Sequence, residues 1–166
     1  MTKRPAARTA LDSRPTLVGE SNPYGADPFF ALYPSPDGSS GHRLATKILG
    51  LSRQRYVEAF QRVNLCAGPW RIAEAREAAG SLAFDAGVRR SPLVLLGAKV
   101  CSAFGVGFEP FTSSTLRQIA GVKGLDDSVT WVVLPHPSGR CRLWLEPGSY
   151  ERARELVLPL IREPEE

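Results

Sequence analysis

The sequence predicts an α/β fold, a three-layer α/β/α sandwich around a central four-stranded parallel sheet. Short apolar runs alternate with longer segments rich in helix-forming residues, an order typical of parallel sheets with right-handed crossovers. The chain has 166 residues, of which 43% are hydrophobic and 23% charged, and these values suit a single globular domain. We therefore expect one domain over 15–166, preceded by a disordered basic tail over 1–14.

Four segments are predicted to be strands. The first covers 15–19 and ends in a glycine, and the second covers 62–66. The third, 92–97, is apolar almost throughout, which indicates burial on both faces of the sheet. The fourth covers 129–134 and is stopped by Pro135. The sequence therefore predicts four parallel strands, each separated from the next by helical segments.

Helices are predicted between and after these strands. In two of these helices a serine lies at the start, and its hydroxyl can cap the first free backbone N–H groups. The longest segment is rich in Ala, Glu and Arg, which are strong helix formers. The predicted helices cover residues 40–49, 52–60, 70–84, 98–104 and 149–161.

Composition argues against several classes of protein. No apolar run approaches the roughly 18 residues of a membrane-spanning helix, and residues 1–14 lack the apolar core of a signal peptide. The three cysteines, Cys66, Cys101 and Cys141, form no CxxC pair, which argues against a disulfide scaffold, a zinc ribbon or an iron–sulfur cluster. This cysteine usage fits a reducing, cytoplasmic compartment. The net charge of +4 and the pI of about 9.2 permit a polyanionic partner such as nucleic acid.

Polar residues suited to chemistry follow the predicted strands at their carboxyl ends. Because these ends meet at one edge of a parallel sheet, where such folds bind their ligands, segments distant in sequence should converge on one cleft. The residues concerned are Glu20, Ser21 and Asn22 after the first strand, Asn64 near the end of the second, and His136 and Ser138 after the fourth.

Each of these patterns also has a purely structural interpretation. His136 lies between two prolines, and rigid backbone around a titratable side chain favours a functional role over a plain turn. The loop 19–25 suits either a catalytic motif or an ordinary turn. The segment 36–44 leads small residues and hydroxyls into a helix start, which favours anions but is also explained by capping. Aromatic residues at 24–33 can stack on a base or fill the core.

Five short segments, taken in order, resemble motifs of the uracil-DNA glycosylase superfamily. They resemble, in turn, its water-activating motif, the helix that follows this motif in the iron–sulfur branch, the strand that ends in a base-reading asparagine, the third strand with its helix, and the DNA-inserting histidine motif. The resemblance spans about Thr16 to Leu160. The segments are GESNPYG (19–25), SSGHRL (39–44), VNLC (63–66), LVLLGAKVCSAFG (93–105) and LPHPSGRCRL (134–143).

The resemblance implies a DNA glycosylase, which flips a uracil or related pyrimidine out of DNA and hydrolyses its N-glycosidic bond. It implies DNA, single- or double-stranded, as the partner of a monomeric protein that needs no metal or organic cofactor and no membrane. The residues implied are Glu20, Asn22 and His136 for catalysis, Asn64, Tyr24, Phe30 and Tyr33 for base binding, and Ser40, Ser138, Arg140, Arg142 and Leu143 for DNA contact.

Two departures from the superfamily pattern leave alternatives open. The iron–sulfur branch has four ligating cysteines, whereas this chain has three without their spacing, so we expect no cluster. The first motif has one residue more than usual. Glu20 matches the acidic residue of the iron–sulfur branch by its distance from Gly19, and Asn22 matches the asparagine of the mismatch-specific branch by its place before Pro23. Either can position the water. A modified pyrimidine, as in phage defence, is an alternative substrate, and an inactive DNA-binding module is an alternative function.

Overall fold

The computed structural model describes residues 12–21, 27–116 and 129–161. In these ranges the strands β1 to β5 cover Thr16–Ser21, Gln61–Cys66, Leu93–Leu96, Thr112–Leu116 and Val129–Leu134. They form one sheet in the order β2-β1-β3-β5-β4, with helices on both of its faces. The predicted three-layer α/β/α architecture is therefore confirmed.

The strand count differs from the prediction. The four predicted strands are present as β1, β2, β3 and β5, and they pair with one another in parallel. The fifth strand, β4, pairs antiparallel with β5 at the edge of the sheet. Its sequence, TSSTL, is short and polar, and Ser113, Ser114 and Thr115 are exposed. An edge strand with a solvated face lacks the apolar run by which buried strands are recognised, and for this reason the sequence did not indicate β4. The sheet therefore has five strands rather than the four predicted.

Five helices lie between and after these strands in the described ranges. The first, α1, begins as an α-helix over Ser40–His42 and continues as a π-helix over Arg43–Ile48. The predicted serine caps are present, since Ser39 accepts from the His42 N–H group at 3.2 Å and Ser52 accepts from the Arg55 N–H group at 3.1 Å. The remaining helices are α2 (Arg53–Ala59), α3 (Ile72–Arg89), α4 (Ala98–Phe104) and α5 (Ser149–Val157).

Two helix ends differ by more than two residues from those predicted. The helix α3 runs five residues beyond the predicted end at Phe84, because Ala86 and Gly87 are buried against the core. It ends only at Arg90, which adopts a left-handed conformation with φ 56°. The helix α5 ends earlier than predicted and continues as a 3-10 turn over Leu158–Leu160, where Pro159 has no backbone N–H group to extend an α-helix.

The sheet separates two hydrophobic layers. Successive residues of a strand point to opposite faces, so Leu93 and Leu95 pack towards α3 and α4, while Val94 and Leu96 pack towards α1, α2 and α5. All four side chains are fully buried, as the apolar run predicted. This central strand fixes the carboxyl edge of the sheet, at which the candidate site lies.

The described part of the predicted tail contacts the domain. The Arg14 side chain donates to the Glu58 carbonyl at 3.0 Å, and the Arg14 carbonyl accepts from Gln61 Nε2 at 2.9 Å. Residues 1–11 lie outside the described ranges. All three cysteines are free thiols. Among the described helices, none has the length and apolar character needed to cross a membrane.

Candidate functional site

A cleft of about 550 Å³ opens at the carboxyl edge of the sheet. Five of the six residues predicted to converge there line it together: Glu20, Ser21, Asn64, His136 and Ser138. The sixth, Asn22, lies outside the described residues, as does Tyr24. The ends of β1 and β2 therefore meet the loop that follows β5 in one site, as the parallel topology predicts.

The structure places the other predicted site residues in two groups. Four more line the same cleft, namely Phe30, Tyr33, Ser40 and Arg140. Two do not line it: Arg142 and Leu143 belong to a 3-10 turn, Arg142–Leu145, that follows the histidine loop. Arg142 is exposed and Leu143 is half-buried, so both lie beside the site rather than in it.

Two glycines allow the central side chains to approach each other. Gly97 has φ 100°, and a Cβ atom at this position would lie 3.3 Å from the His136 Cβ and 3.6 Å from Glu20 Oε2. Gly19 pairs with Asn64 between β1 and β2, and a Cβ on Gly19 would overlap the Asn64 side-chain oxygen. Sequence reasoning assigned Gly97 no role, because a glycine after a strand is common and its contacts arise only in the fold.

Hydrogen bonding fixes the tautomer of His136. Its Nδ1 atom accepts from the Ser138 N–H group at 3.1 Å. The pKa of His136 is lowered from its usual value of 6.5, mainly because the ring is buried. The nearby Glu20 carboxylate raises this pKa and the Lys99 ammonium lowers it, so the net shift is downward. The imidazole is therefore neutral at pH 7. A neutral ring that accepts at Nδ1 carries its proton on Nε2, so His136 offers an N–H donor from that atom.

The backbone around His136 is anchored independently of its ring. The His136 carbonyl accepts from Trp144 Nε1 at 2.8 Å, and the Pro137 carbonyl accepts from Arg43 Nε at 3.0 Å. These bonds tie the histidine loop to α1 and to the Arg142–Leu145 turn. The loop should therefore keep its position when the imidazole is removed.

Glu20 lies opposite the protonated side of this imidazole. Its Oε2 atom is 4.0 Å from His136 Nε2, too long for a hydrogen bond. The Glu20 side chain is 24% exposed and makes no hydrogen bond to any described residue. A carboxylate and an imidazole N–H group thus face one space, and both can interact with a molecule that enters it.

Asn64 carries the most unusual feature of the cleft. Its amide nitrogen and its amide oxygen are both buried, and neither has a hydrogen-bond partner within the described part of the chain. A buried polar group left unpaired costs about 1–3 kcal/mol, so such a group calls for an explanation. The amide offers a donor and an acceptor side by side, which complements a ligand edge that has the same pair of groups.

The lack of a described partner for the Asn64 amide predicts opposite effects on stability and on ligand binding. Replacing it with leucine, which has a similar shape, breaks no hydrogen bond among the described residues. We expect the free energy of unfolding of Asn64→Leu to equal or exceed the wild-type value by up to about 1 kcal/mol, and binding of a ligand that presents an N–H group beside a carbonyl oxygen to weaken about tenfold or more. Chemical denaturation measures the first effect and a binding titration measures the second. A clear loss of stability would instead make Asn64 a structural residue.

The remaining chemistry of the site does not include an evident metal centre. In residues 12–21, 27–116 and 129–161, no three His, Cys, Asp or Glu side chains are grouped so that they could hold a metal ion. Burial raises the pKa of Cys101 to about 11, so this thiol is uncharged at neutral pH. Among the described residues, the groups suited to act on a ligand include the Glu20 carboxylate, the His136 imidazole and the Asn64 amide.

Comparisons with known proteins add no family assignment. No family model, no curated protein and no solved structure matches this chain. The likeness to the uracil-DNA glycosylase superfamily therefore rests on the five sequence segments alone. The function has to be argued from the geometry of the cleft.

Proposed function

We propose that the protein is a DNA glycosylase, which hydrolyses the N-glycosidic bond of a uracil or related pyrimidine and leaves an abasic site. The observation that carries this proposal is the buried amide of Asn64, which has no hydrogen-bond partner among the described residues and lies in a cleft that also holds Glu20 and His136. The edge of a uracil ring presents an N–H group beside a carbonyl oxygen. These two groups complement the donor and the acceptor of the Asn64 amide, for which the described part of the chain supplies no partner.

Glu20 is proposed to act on the sugar. Cleavage of the glycosidic bond leaves an oxocarbenium-like sugar and an anionic base. A carboxylate beside the sugar opposes the developing positive charge and can orient the attacking water. Glu20 is suited to both tasks, since no described residue donates a hydrogen bond to its carboxylate.

His136 is proposed to act on the base. Negative charge collects on the base oxygen as the bond breaks, and a fixed N–H donor at that oxygen stabilises the leaving anion. The neutral imidazole supplies this donor from Nε2, because Nδ1 is occupied by the Ser138 N–H group. A neutral donor also avoids pairing permanently with the Glu20 carboxylate 4.0 Å away.

The walls of the cleft suit a flat aromatic ligand. The rings of Phe30 and Tyr33 line it with centroids 5.5 Å apart, and either face can stack on a flipped base. The hydroxyls of Ser40 and Ser138 line the same cleft, where they can donate to phosphates that flank the flipped nucleotide. Arg140, on the wall of the cleft, and Arg142, on the following turn, add positive charge beside it.

The two arginines predict a salt effect on DNA binding. Each contact between a cation and a phosphate releases counterions, so the slope of log affinity against log salt should become shallower by roughly one to two in Arg140→Ala/Arg142→Ala. Titrations of labelled DNA at several salt concentrations measure the slope. Arg90→Asn is the control, because this exposed residue precedes β3 at the opposite edge of the sheet. An unchanged slope in the double variant would mean that DNA approaches by another face.

The proposed activity is tested on a panel of labelled DNA strands, each with one uracil or one 5-substituted pyrimidine. Abasic sites are revealed by alkaline cleavage. We expect wild-type protein to form abasic sites at one of these pyrimidines. Asn64→Leu, purified in the same way, should show reduced activity, and this result would exclude a contaminating enzyme as the source of the abasic sites. Preference for a 5-substituted base would identify a modified-pyrimidine glycosylase. DNA binding without abasic sites on any strand would identify a binding module and contradict the proposal.

A further inference from the structure

Three aromatic rings form a cluster that extends from the cleft to the protein surface. Phe30 and Tyr33 line the cleft, whereas Phe29 does not, and the Phe29 side chain is 55% exposed. The ring centroid of Phe29 lies 5.1 Å from that of Phe30 and 5.3 Å from that of Tyr33. The cluster therefore continues the aromatic wall of the cleft onto the outside of the protein.

The Arg62 guanidinium holds this cluster in place. It lies 5.7 Å from the centre of the Phe29 ring and 5.4 Å from that of Tyr33, within the range of cation–π attraction. The same group donates to the Phe29 carbonyl at 3.3 Å and to the Ala31 carbonyl at 3.0 Å. The Asp27 carboxylate accepts from the Phe29 N–H group at 3.0 Å. The exposed ring is thus held on an ordered turn.

An exposed ring that is held in this way suits stacking on a nucleobase. Stacking platforms for single-stranded nucleic acid combine aromatic faces with nearby cations, and they tolerate any sequence because every base has a π face. Arg62 provides a cation at the cluster, and Arg140 provides another on the wall of the same cleft. Charge and shape therefore favour a nucleic-acid strand over an apolar protein segment.

We infer that Phe29 stacks on the base next to the flipped nucleotide, and that the substrate is therefore single-stranded DNA. The inference rests on the proposed function, which places the flipped base in the cleft beside Phe30 and Tyr33. The neighbouring base can reach a ring outside the cleft only if it has left its own stack. In a duplex that base remains paired and stacked, whereas in a single strand it is available at little cost.

The test measures binding separately from base release. The probes are a labelled single strand of ordinary bases and the same strand annealed to its complement. We expect wild-type protein to prefer the single strand. Phe29→Ala should weaken single-strand affinity by about tenfold, the loss typical of one stacking ring, and leave the weaker duplex affinity unchanged. Phe29→Trp, which keeps a ring at this position, should restore single-strand binding.

Phe84→Ala is the matched control for removal of an exposed ring. Phe84 is 48% exposed and lies in the second half of α3, which runs from the carboxyl edge of the sheet back to its amino edge. Its removal should leave single-strand affinity unchanged. Thermal denaturation of all three variants checks that the turn at 28–30 remains folded.

The outcomes separate this inference from the proposed function. Unchanged single-strand affinity in Phe29→Ala, or equal wild-type affinity for the single strand and the duplex, would overturn the inference even if base release occurs. Binding of the single strand that depends on the Phe29 ring would support it. If such binding is found but no strand of the base panel yields an abasic site, the glycosylase proposal fails and single-strand recognition stands.

Discussion

Replacing His136 with alanine is expected to lower the single-turnover rate of base release by at least about a hundredfold. The variant removes the N–H donor that is proposed to stabilise the leaving base. Because the donor acts only as negative charge develops, the loss should fall on the chemical step rather than on DNA affinity. The measurement is the rate of abasic-site formation with protein in excess over the strand, beside the dissociation constant of the same strand.

The fold should survive this substitution. Within the described ranges the ring of His136 makes one hydrogen bond, from the Ser138 N–H group, and its side chain is 32% exposed. The backbone bonds from Trp144 and Arg43 to the loop do not involve the ring. We expect a loss of stability of about 1 kcal/mol. A folded His136→Ala variant that releases base at nearly the wild-type rate would remove His136 from the mechanism.

Replacing Glu20 with glutamine is expected to slow the chemical step on the order of a hundredfold, and by more than Asn22→Ala does. The substitution keeps the shape of the side chain and removes its charge. A carboxylate opposes positive charge on the sugar in a partly buried site, where electrostatic interactions are stronger than in water. Single-turnover base release of the two variants gives the comparison.

The melting temperature separates the chemical role of Glu20 from a structural one. Glu20 makes no hydrogen bond in the described part of the chain, so Glu20→Gln should melt close to the wild-type temperature. The pKa of His136 should fall further in this variant, because the Glu20 charge raises that pKa and is lost. Proton NMR can follow it, since the chain has only two histidines. Full activity of Glu20→Gln together with an inactive Asn22→Ala would assign the water to Asn22.

The sequence could predict which residues lie together at the carboxyl ends of the strands. A parallel sheet places the carboxyl ends of its strands at one edge, so Glu20, Asn64 and His136 could be grouped before any contact was known. The apolar run 92–97 was informative because β3 is buried on both faces. The strand β4 gave no such signal, since its serines and threonines, three of which are exposed, are also typical of a loop.

The protonation of His136, the position of Glu20 and the burial of Asn64 depend on three-dimensional contacts that the sequence does not show. The proton position on His136 follows from the Ser138 N–H group, and the close approach of Glu20 follows from the missing side chain at Gly97. No sequence pattern indicates that the Asn64 amide is buried with no partner among the described residues. The exposed ring of Phe29 is equally hidden in the sequence, where two adjacent phenylalanines suggest core as readily as a binding surface.

Mass spectrometry of both reaction products tests whether this cleft releases an intact base by hydrolysis. A strand with the preferred pyrimidine is incubated with wild-type protein in excess and, in parallel, with Glu20→Gln. We expect the free base and a strand of unbroken length that has lost the base and gained a hydroxyl group, both formed far more slowly by the variant. A strand of unchanged mass, or a broken strand without free base, would rule out this reaction.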